Sequence, residues 1–308
     1  MLKYYKFFSC CVFILYSFQV RAETCSNVEV DQSNMPKNNY QEDLEWCFAF
    51  SSANLFSFYL KKPVSSYHLA LLHHLHPDIS PLVKKTDISM AIGSVQKTLF
   101  LAANAQSTGL CLEENTLTEL GHWQKSSQFY QKLVNSDLTL KHLYCDNKIS
   151  DQSLVASSQL LKILDKLSKG HRAKAFLEVT CKKGAVPERL KEANFTYMDI
   201  RNYSADQLVT KINQKLNSKE PVSVSYQIEN LLGSEPVKNI LRLHASTVVG
   251  RQFNPMTKKC EFLVKDSFNK KNCSNDNSKI RCVGDGAYYF ISEEQLKKSL
   301  YVVESLDF

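Results

Sequence analysis

One uninterrupted run constrains this chain more than any other. From Phe48 to Leu60 there is no Pro or Gly, and Phe48, Ala49, Leu55, Phe56 and Leu60 keep the stretch almost continuously apolar. That pattern predicts a buried helix. Cys47 then falls in its first turn, where unpaired backbone N–H groups and the positive end of the helix dipole favour an anion. With a cationic neighbour, such a position favours the thiolate, the nucleophilic form of cysteine. Gln41, six residues upstream, can lie beside the sulfur with its amide N–H directed at whatever the sulfur attacks, which is half of an oxyanion hole. The plainer alternative is a core helix that happens to hold an inert, buried thiol.

The chain opens as an exported protein would. Lys3 and Lys6 precede an apolar run from Phe7 to Phe18, and Val20-Arg21-Ala22 has a small-residue cleavage pattern. Residues 1–22 are therefore expected to be a signal peptide removed near Ala22. The run is too short to span a membrane, and Ala22-Glu23-Thr24-Cys25 lacks the small apolar residues of a lipoprotein signal. Cleavage takes three of the 38 basic residues and no acid, so the net charge falls from +7 to +4. A balance so mild, with no basic run interleaved with aromatics, argues against a nucleic-acid partner. The mature chain of 308 minus 22, or 286, residues is long enough for one large or two small domains.

Eight of the ten cysteines remain in the mature chain: Cys25, Cys47, Cys111, Cys145, Cys181, Cys260, Cys273 and Cys282. An oxidising compartment suits disulfides. If Cys47 stays reduced, seven are left, so one more is unpaired or bridges to a second molecule. Cys273 and Cys282 are close enough in sequence to close a small loop. Alternatively Cys47 is the eighth member of four disulfides, although its place in an apolar helix speaks against that.

After the central helix, Lys61-Lys62-Pro63-Val64-Ser65 reads as a stop and restart, with a second helix over Tyr67–His76. His73, His74 and His76 invite a metal reading, but no Cys, Asp or Glu stands at ligand spacing before Asp78, so a solvated helix end is expected. A further helix is expected from Asp87 to Ala105, with Ile88, Ile92, Val95 and Leu99 on one side. Residues 116–195 are long, polar and helical in flavour, with Leu154, Leu160, Leu161, Ile163, Leu164 and Leu167 forming an apolar face. Asn194-Phe195-Thr196, Asn202-Tyr203-Ser204 and Asn272-Cys273-Ser274 fit the glycosylation pattern, which matters only in a eukaryotic secretory pathway.

From Tyr197 the pattern turns to strands. Tyr197–Arg201 is short and extended, and Ser204 with Gln207 makes a capping box that opens a helix with Leu208, Val209, Ile212 and Leu216 inside. Pro221 to Tyr226 alternates as a half-buried strand. Leu243-His244-Ala245-Ser246-Thr247-Val248-Val249-Gly250 is a strand with a histidine near its start. Phe262-Leu263-Val264-Lys265 is another, followed by Asp266-Ser267-Phe268. By themselves a histidine beside an apolar strand is a satisfied core residue, and Asp266 pairs with Lys265 or water at a strand end.

Taken together, these stretches resemble the papain-like cysteine peptidases. Gln41, five residues, then Cys47-Phe48-Ala49-Phe50-Ser51 is similar to that family's nucleophile segment, Gln, five residues, Cys-Trp-Ala-Phe-Ser, with Phe48 in place of Trp and Leu44-Glu45-Trp46 in place of Cys-Gly-Ser. Val64-Ser65 to Leu71 resembles the stretch after the nucleophile helix. The Ser204 helix followed by Pro221-Val222-Ser223-Val224 resembles the opening of the β lobe, and His244-Ala245 with its apolar strand resembles the segment carrying the catalytic imidazole. Lys265-Asp266-Ser267-Phe268-Asn269 is similar to Lys-Asn-Ser-Trp-Gly, with Asp266 for Asn, and Gly284-Asp285-Gly286 to Ile291 resembles the glycine-rich turn and closing strand. His244 follows Cys47 by 244 minus 47, or 197, residues. The family's usual separation is roughly 130 to 150, and the 116–195 block accounts for the excess.

The resemblance implies an α+β, two-lobed papain-like fold in residues 23–308. A helical lobe of about 41–115 would carry the nucleophile helix, the 116–195 block would be a helical insertion, and about 196–308 would form an antiparallel, β-barrel-like lobe. It implies Cys47 as nucleophile, His244 as general acid and base, Asp266 as the group orienting the imidazole, and Gln41 as oxyanion donor. Glu45, Trp46, Gly93, Leu243 and Ala245 would line the groove, with Glu45 adding bulk and charge where the family has glycine. The implied activity is peptide-bond hydrolysis by a monomer, with no cofactor or metal. A polypeptide is the implied substrate, and a protein inhibitor is a candidate partner. Only 47 minus 23, or 24, mature residues precede Cys47, too few for the family's inhibitory prosegment, so the insertion or such an inhibitor would restrain it. The competing expectation is a catalytically silent binding module that uses the same cleft.

Overall fold

The computed structural model describes residues 25–37, 46–75, 94–104, 110–115, 184–185, 194–228, 243–267, 279–283 and 287–307. The expected signal peptide, Gln41, Glu45, Gly93, His76, Gly284 to Gly286 and the 116–195 block, apart from 184–185 and 194–195, lie outside those residues.

Three helices pack around the first of two apolar cores. Helix α1 spans Cys47–Leu60, α2 Ser66–Leu75 and α3 Val95–Asn104. Lys61 takes the left-handed conformation at φ 55° and ends α1. Pro63, two residues on, cannot continue a helix. The restart is capped by side chains: Ser65 Oγ accepts the His68 N–H at 3.2 Å, and Ser94 Oγ accepts that of Lys97 at 3.2 Å. Trp46, Phe48, Leu55, Phe56, Leu69 and Leu99 are buried between the three helices.

His73 is a correction to the sequence reading. It is buried rather than solvated, with its ring 4.7 Å from that of Phe48, and its Nε2 accepts the Ser94 N–H at 3.5 Å. The apolar periodicity of α2 continues through it, so packing against α1 prevails over polarity.

His68, also on α2, is fully buried, and neither ring nitrogen has a hydrogen-bond partner among the described residues. Burial without a partner pushes its pKa from 6.5 down to about 4. The folded pKa lies below the unfolded one, so the stability linked to this neutral ring is complete above pH 6.5 and lost as pH falls through about 4. At roughly 1.4 kcal/mol per unit, about 3 kcal/mol is at stake. His68→Leu is expected to flatten the acid limb of the urea midpoint against pH between pH 6.5 and 4. An unchanged acid limb would contradict that role.

The second core lies under an eight-stranded antiparallel sheet. Its strands are β1 (Val28–Glu29), β4 (Asn194–Asp199), β5 (Val222–Gln227), β6 (Leu243–Asn254), β7 (Lys259–Lys265), β8 (Ile280–Val283), β9 (Tyr288–Ser292) and β10 (Leu300–Asp307). The strand order is β4-β10-β5-β6-β7-β9-β8, with β1 paired to β6. A separate two-stranded ladder joins β2 (Leu110–Cys111) to β3 (Gly184–Ala185). The chain is thus a mixed α+β protein with one large antiparallel sheet. Helix α4, Ala205–Asn217, carries the expected capping box at Ser204 and lays Leu208, Val209, Ile212 and Leu216 on the sheet. The short helix α5, Glu293–Ser299, leads into β10.

Two boundaries differ from the sequence expectation. Strand β4 begins at Asn194, inside the stretch expected to be helical, because β10 pairs with it from Asp307↔Asn194 to Val302↔Asp199. Strand β6 runs to Asn254, four residues past Gly250, because its far end pairs with β7 as far as Asn254↔Lys259. Both extensions come from partners distant in sequence.

A disulfide joins Cys25 to Cys260, tying the segment before β1 to β7. Cys111 and Cys282 are also disulfide-bonded. Cys47 is the free cysteine among the described residues, so it is not one of four pairs. No helix among the described residues is long and apolar enough to cross a membrane.

Candidate active site

The first turn of α1 and the start of β6 meet between the two cores, and a buried polar seam fixes how they meet. Ser51, one turn beyond Cys47, places its Oγ 2.9 Å from Ser223 Oγ, 3.0 Å from the Ser246 carbonyl and 3.1 Å from Thr247 Oγ1. Asn54 donates to Thr247 Oγ1 at 3.0 Å. The Glu304 carboxyl on β10 accepts the Gln96 N–H at 2.8 Å and the Ser223 hydroxyl at 3.4 Å, linking α3 to the sheet. Burial pushes the Glu304 carboxyl up to about 7 despite those two bonds. A buried polar group left unpaired costs about 1–3 kcal/mol, so such a seam tolerates little sliding of helix over sheet.

That seam sets Cys47 against His244. Cys47 is half-buried at the N-terminus of α1, with Trp46 in the N-cap position. Its own N–H is among the helix's first amide groups, which no carbonyl within the helix can satisfy. His244 is 3 % exposed, and its Nε2 lies 2.7 Å from Asp266 Oδ1. The imidazole also hydrogen-bonds to the Cys47 side chain. Burial alone would push its pKa down. The charges of Asp266 and Cys47, with the hydrogen bonds to each, outweigh burial and hold it up at about 10. His244 is therefore an imidazolium throughout the neutral range.

Asp266 sits just past the end of β7. Its Oδ1 also accepts the Ser267 N–H at 2.5 Å. Lys265, the bland partner for this carboxylate, turns elsewhere: its Nζ donates to the Tyr288 hydroxyl at 3.0 Å and lies over that ring. The aspartate thus bonds the histidine ring, while the Lys265 ammonium is engaged by Tyr288.

The structure brings together Cys47, His244 and Asp266. It treats the expected groove residues differently. The Trp46 ring is 1 % exposed and edge-on to Tyr67, and Ala245 is buried in the helical core. Both side chains are packed in the helical core beside the elements carrying Cys47 and His244. Leu243 is half-buried at the start of β6, and Gln41, Glu45 and Gly93 lie outside the described residues. Among the described residues no group of three or more His, Cys, Asp or Glu is placed to hold a metal ion.

Sequence reasoning missed the far side of Asp266. Tyr226, directly across from His244 in the β5–β6 ladder, reaches this carboxylate, and Tyr289 on β9 backs the Tyr226 hydroxyl. The only local sign was that a tyrosine, with a hydroxyl to satisfy, ends the alternating run Val222-Ser223-Val224-Ser225-Tyr226. Chemically, the site offers a soft nucleophile, a proton carrier already charged at neutral pH and a carboxylate that fixes the carrier's orientation.

No family model matches the chain, and no curated protein sequence matches it either. Among solved structures it is similar to pepw from Lactobacillus rhamnosis, with 12 % identity over 94 % of this chain and 83 % of the other and a TM-score of 0.44. It is similar to the digestive procathepsin L2 proteinase from the Tenebrio molitor larval midgut, at 12 % identity over 95 % and 72 % with a TM-score of 0.45. A third is the Amb a 11 cysteine protease, a major ragweed pollen allergen, in its proform, at 11 % identity over 94 % and 67 % with a TM-score of 0.43. Likeness at this level assigns no activity, which has to be inferred from the side chains of this chain.

Proposed function

We propose that this chain is an exported cysteine-type endopeptidase. The observation that carries the proposal is the buried His244–Asp266 pair at 2.7 Å with Cys47 on the imidazole's other side. Cys47, paired as thiolate with the His244 imidazolium, attacks the peptide carbonyl, and the Cys47 N–H donates to the developing oxyanion; Gln41, the second donor expected from the sequence, lies outside the described residues. His244 gives its proton to the leaving amine, which departs as the thioester forms. It then takes a proton from the water that hydrolyses the thioester. Asp266 holds the ring in the orientation that points its second nitrogen at the sulfur. Export is supported by the disulfide linking Cys25 to Cys260 and by the bonded state of Cys111 and Cys282, which suit an oxidising compartment.

The test is covalent labelling of the folded protein with an epoxysuccinyl peptide. One adduct on Cys47 is expected, lost in Cys47→Ala and strongly slowed in His244→Gln. Absence of any adduct on folded protein would instead favour a catalytically silent protein that binds peptides in the same cleft.

A further inference from the structure

The second oxygen of Asp266 faces a ring of buried hydroxyls. Asp266 Oδ2 accepts from the Tyr226 hydroxyl at 3.3 Å. Behind it, the Tyr289 hydroxyl lies 2.5 Å from that of Tyr226 and, since Tyr226 spends its one proton on Asp266, donates to Tyr226. Ser246 Oγ, 2.8 Å from the Tyr226 hydroxyl, joins the ring. All three side chains are buried. Tyr226 also packs edge-on to the His244 ring, with centroids 5.6 Å apart. One residue thus touches the imidazole with its ring and the carboxylate with its hydroxyl.

An ionised carboxylate has about four lone-pair sites to satisfy and no donor of its own. At Asp266 the imidazole and the Ser267 N–H use Oδ1. The Tyr226 hydroxyl serves Oδ2 and is itself held by Tyr289, which offsets the cost of desolvating a carboxylate in the protein interior. Both hydroxyls keep their protons, since burial and the Asp266 charge push the two phenols well above their usual range. They are therefore available as donors at every pH at which the protein would work.

We infer that Tyr226 and Tyr289 are positioning residues that make a carboxylate tenable at position 266 and, through it, set how strongly His244 holds its proton. The inference rests on Cys47 and His244 acting as the reactive pair. Among the described residues, the titratable groups facing the pair include Cys47 on α1, Tyr226 on β5 and Tyr289 on β9, and Lys265 turns to Tyr288. The sign follows from the proton count. Removing a donor destabilises the carboxylate most when the imidazole beside it is neutral, because no other charge then compensates it. Proton loss from the pair becomes harder, and the His244 midpoint rises.

The experiment follows the His244 ring signal by ¹H–¹³C NMR against pH in the full chain and in Tyr226→Phe and Tyr289→Phe, which keep ring volume. Tyr226→Phe is expected to raise the midpoint by about one unit, the worth of one charge-assisted hydrogen bond, and Tyr289→Phe, which acts through the Tyr226 hydroxyl, to raise it by a smaller amount. In an Asp266→Asn background the same changes are expected to leave the midpoint within a few tenths of a unit. Unmoved midpoints in both folded phenylalanine variants would overturn the inference. So would an equal rise in the Asp266→Asn background, since the rings would then act by packing alone. The titration needs no substrate, so a chain that cleaves nothing yet shows the shifts sinks the peptidase reading and leaves this one standing.

Discussion

Replacing His244 by glutamine is expected to lower kcat for peptide hydrolysis by about 10⁴-fold or more, the scale of losing a proton carrier from a catalytic unit. Glutamine is chosen for a physical reason. His244 is 3 % exposed beside an equally hidden carboxylate, and alanine would leave that carboxylate without its main partner. Removing one member of a buried ion pair costs about 3–5 kcal/mol and can unfold the protein. The glutamine amide can still donate to Asp266 Oδ1, so the scaffold survives while proton transfer is lost. KM should change little, because the imidazole acts in the transition state more than in binding. Residual activity within tenfold of wild type, measured on folded protein, would show that the His244 proton is not used in the reaction.

The second large effect is on stability in alkali. The His244 pKa rises from 6.5 to about 10 on folding: burial opposes the charge, and Asp266 and Cys47 outweigh it. A raised folded pKa means that the linked stability is complete below pH 6.5 and drains away as pH climbs through about 10. Each unit is worth about 1.4 kcal/mol, so a few kcal/mol should disappear across this window. Lysine and tyrosine titrations overlap its upper end, and the comparison with Asp266→Asn separates them. That variant removes the principal favourable charge and should lose much less stability between pH 6.5 and 10. Urea midpoints measured at half-unit intervals would decide it, and parallel curves for the two proteins would refute the assignment.

Features encoded within a few neighbouring residues were legible in the sequence. Helix α1 follows from an apolar run without breakers, α4 from the reciprocal bonds of Ser204 and Gln207, and β5, β6 and β7 from alternation or apolar runs bounded by turns. The pairing of Cys47 with His244 and Asp266 followed from the order of motifs rather than from any single motif. What escaped depends on distant partners. The burial of His73 is decided by Phe48, the start of β4 by β10, and the support of Asp266 by tyrosines 40 and 23 residues away in sequence. No local pattern carries information of that kind. Trp46 shows the converse limit: being next to the nucleophile in sequence suggested a groove residue, yet the helix start turns its ring into the core.

Strand β10 has a consequence for how the molecule comes into being. It follows every other strand of the sheet along the chain, yet it lies between β4 and β5 and hydrogen-bonds to both. As the polypeptide emerges from the ribosome, residues 194–199 and 222–227 are exposed long before residues 300–307 exist to separate and pair them. The sheet therefore cannot close progressively during synthesis. Until translation has passed residue 307, two strand edges stay open to wrong neighbours, the condition in which nascent chains most need a chaperone.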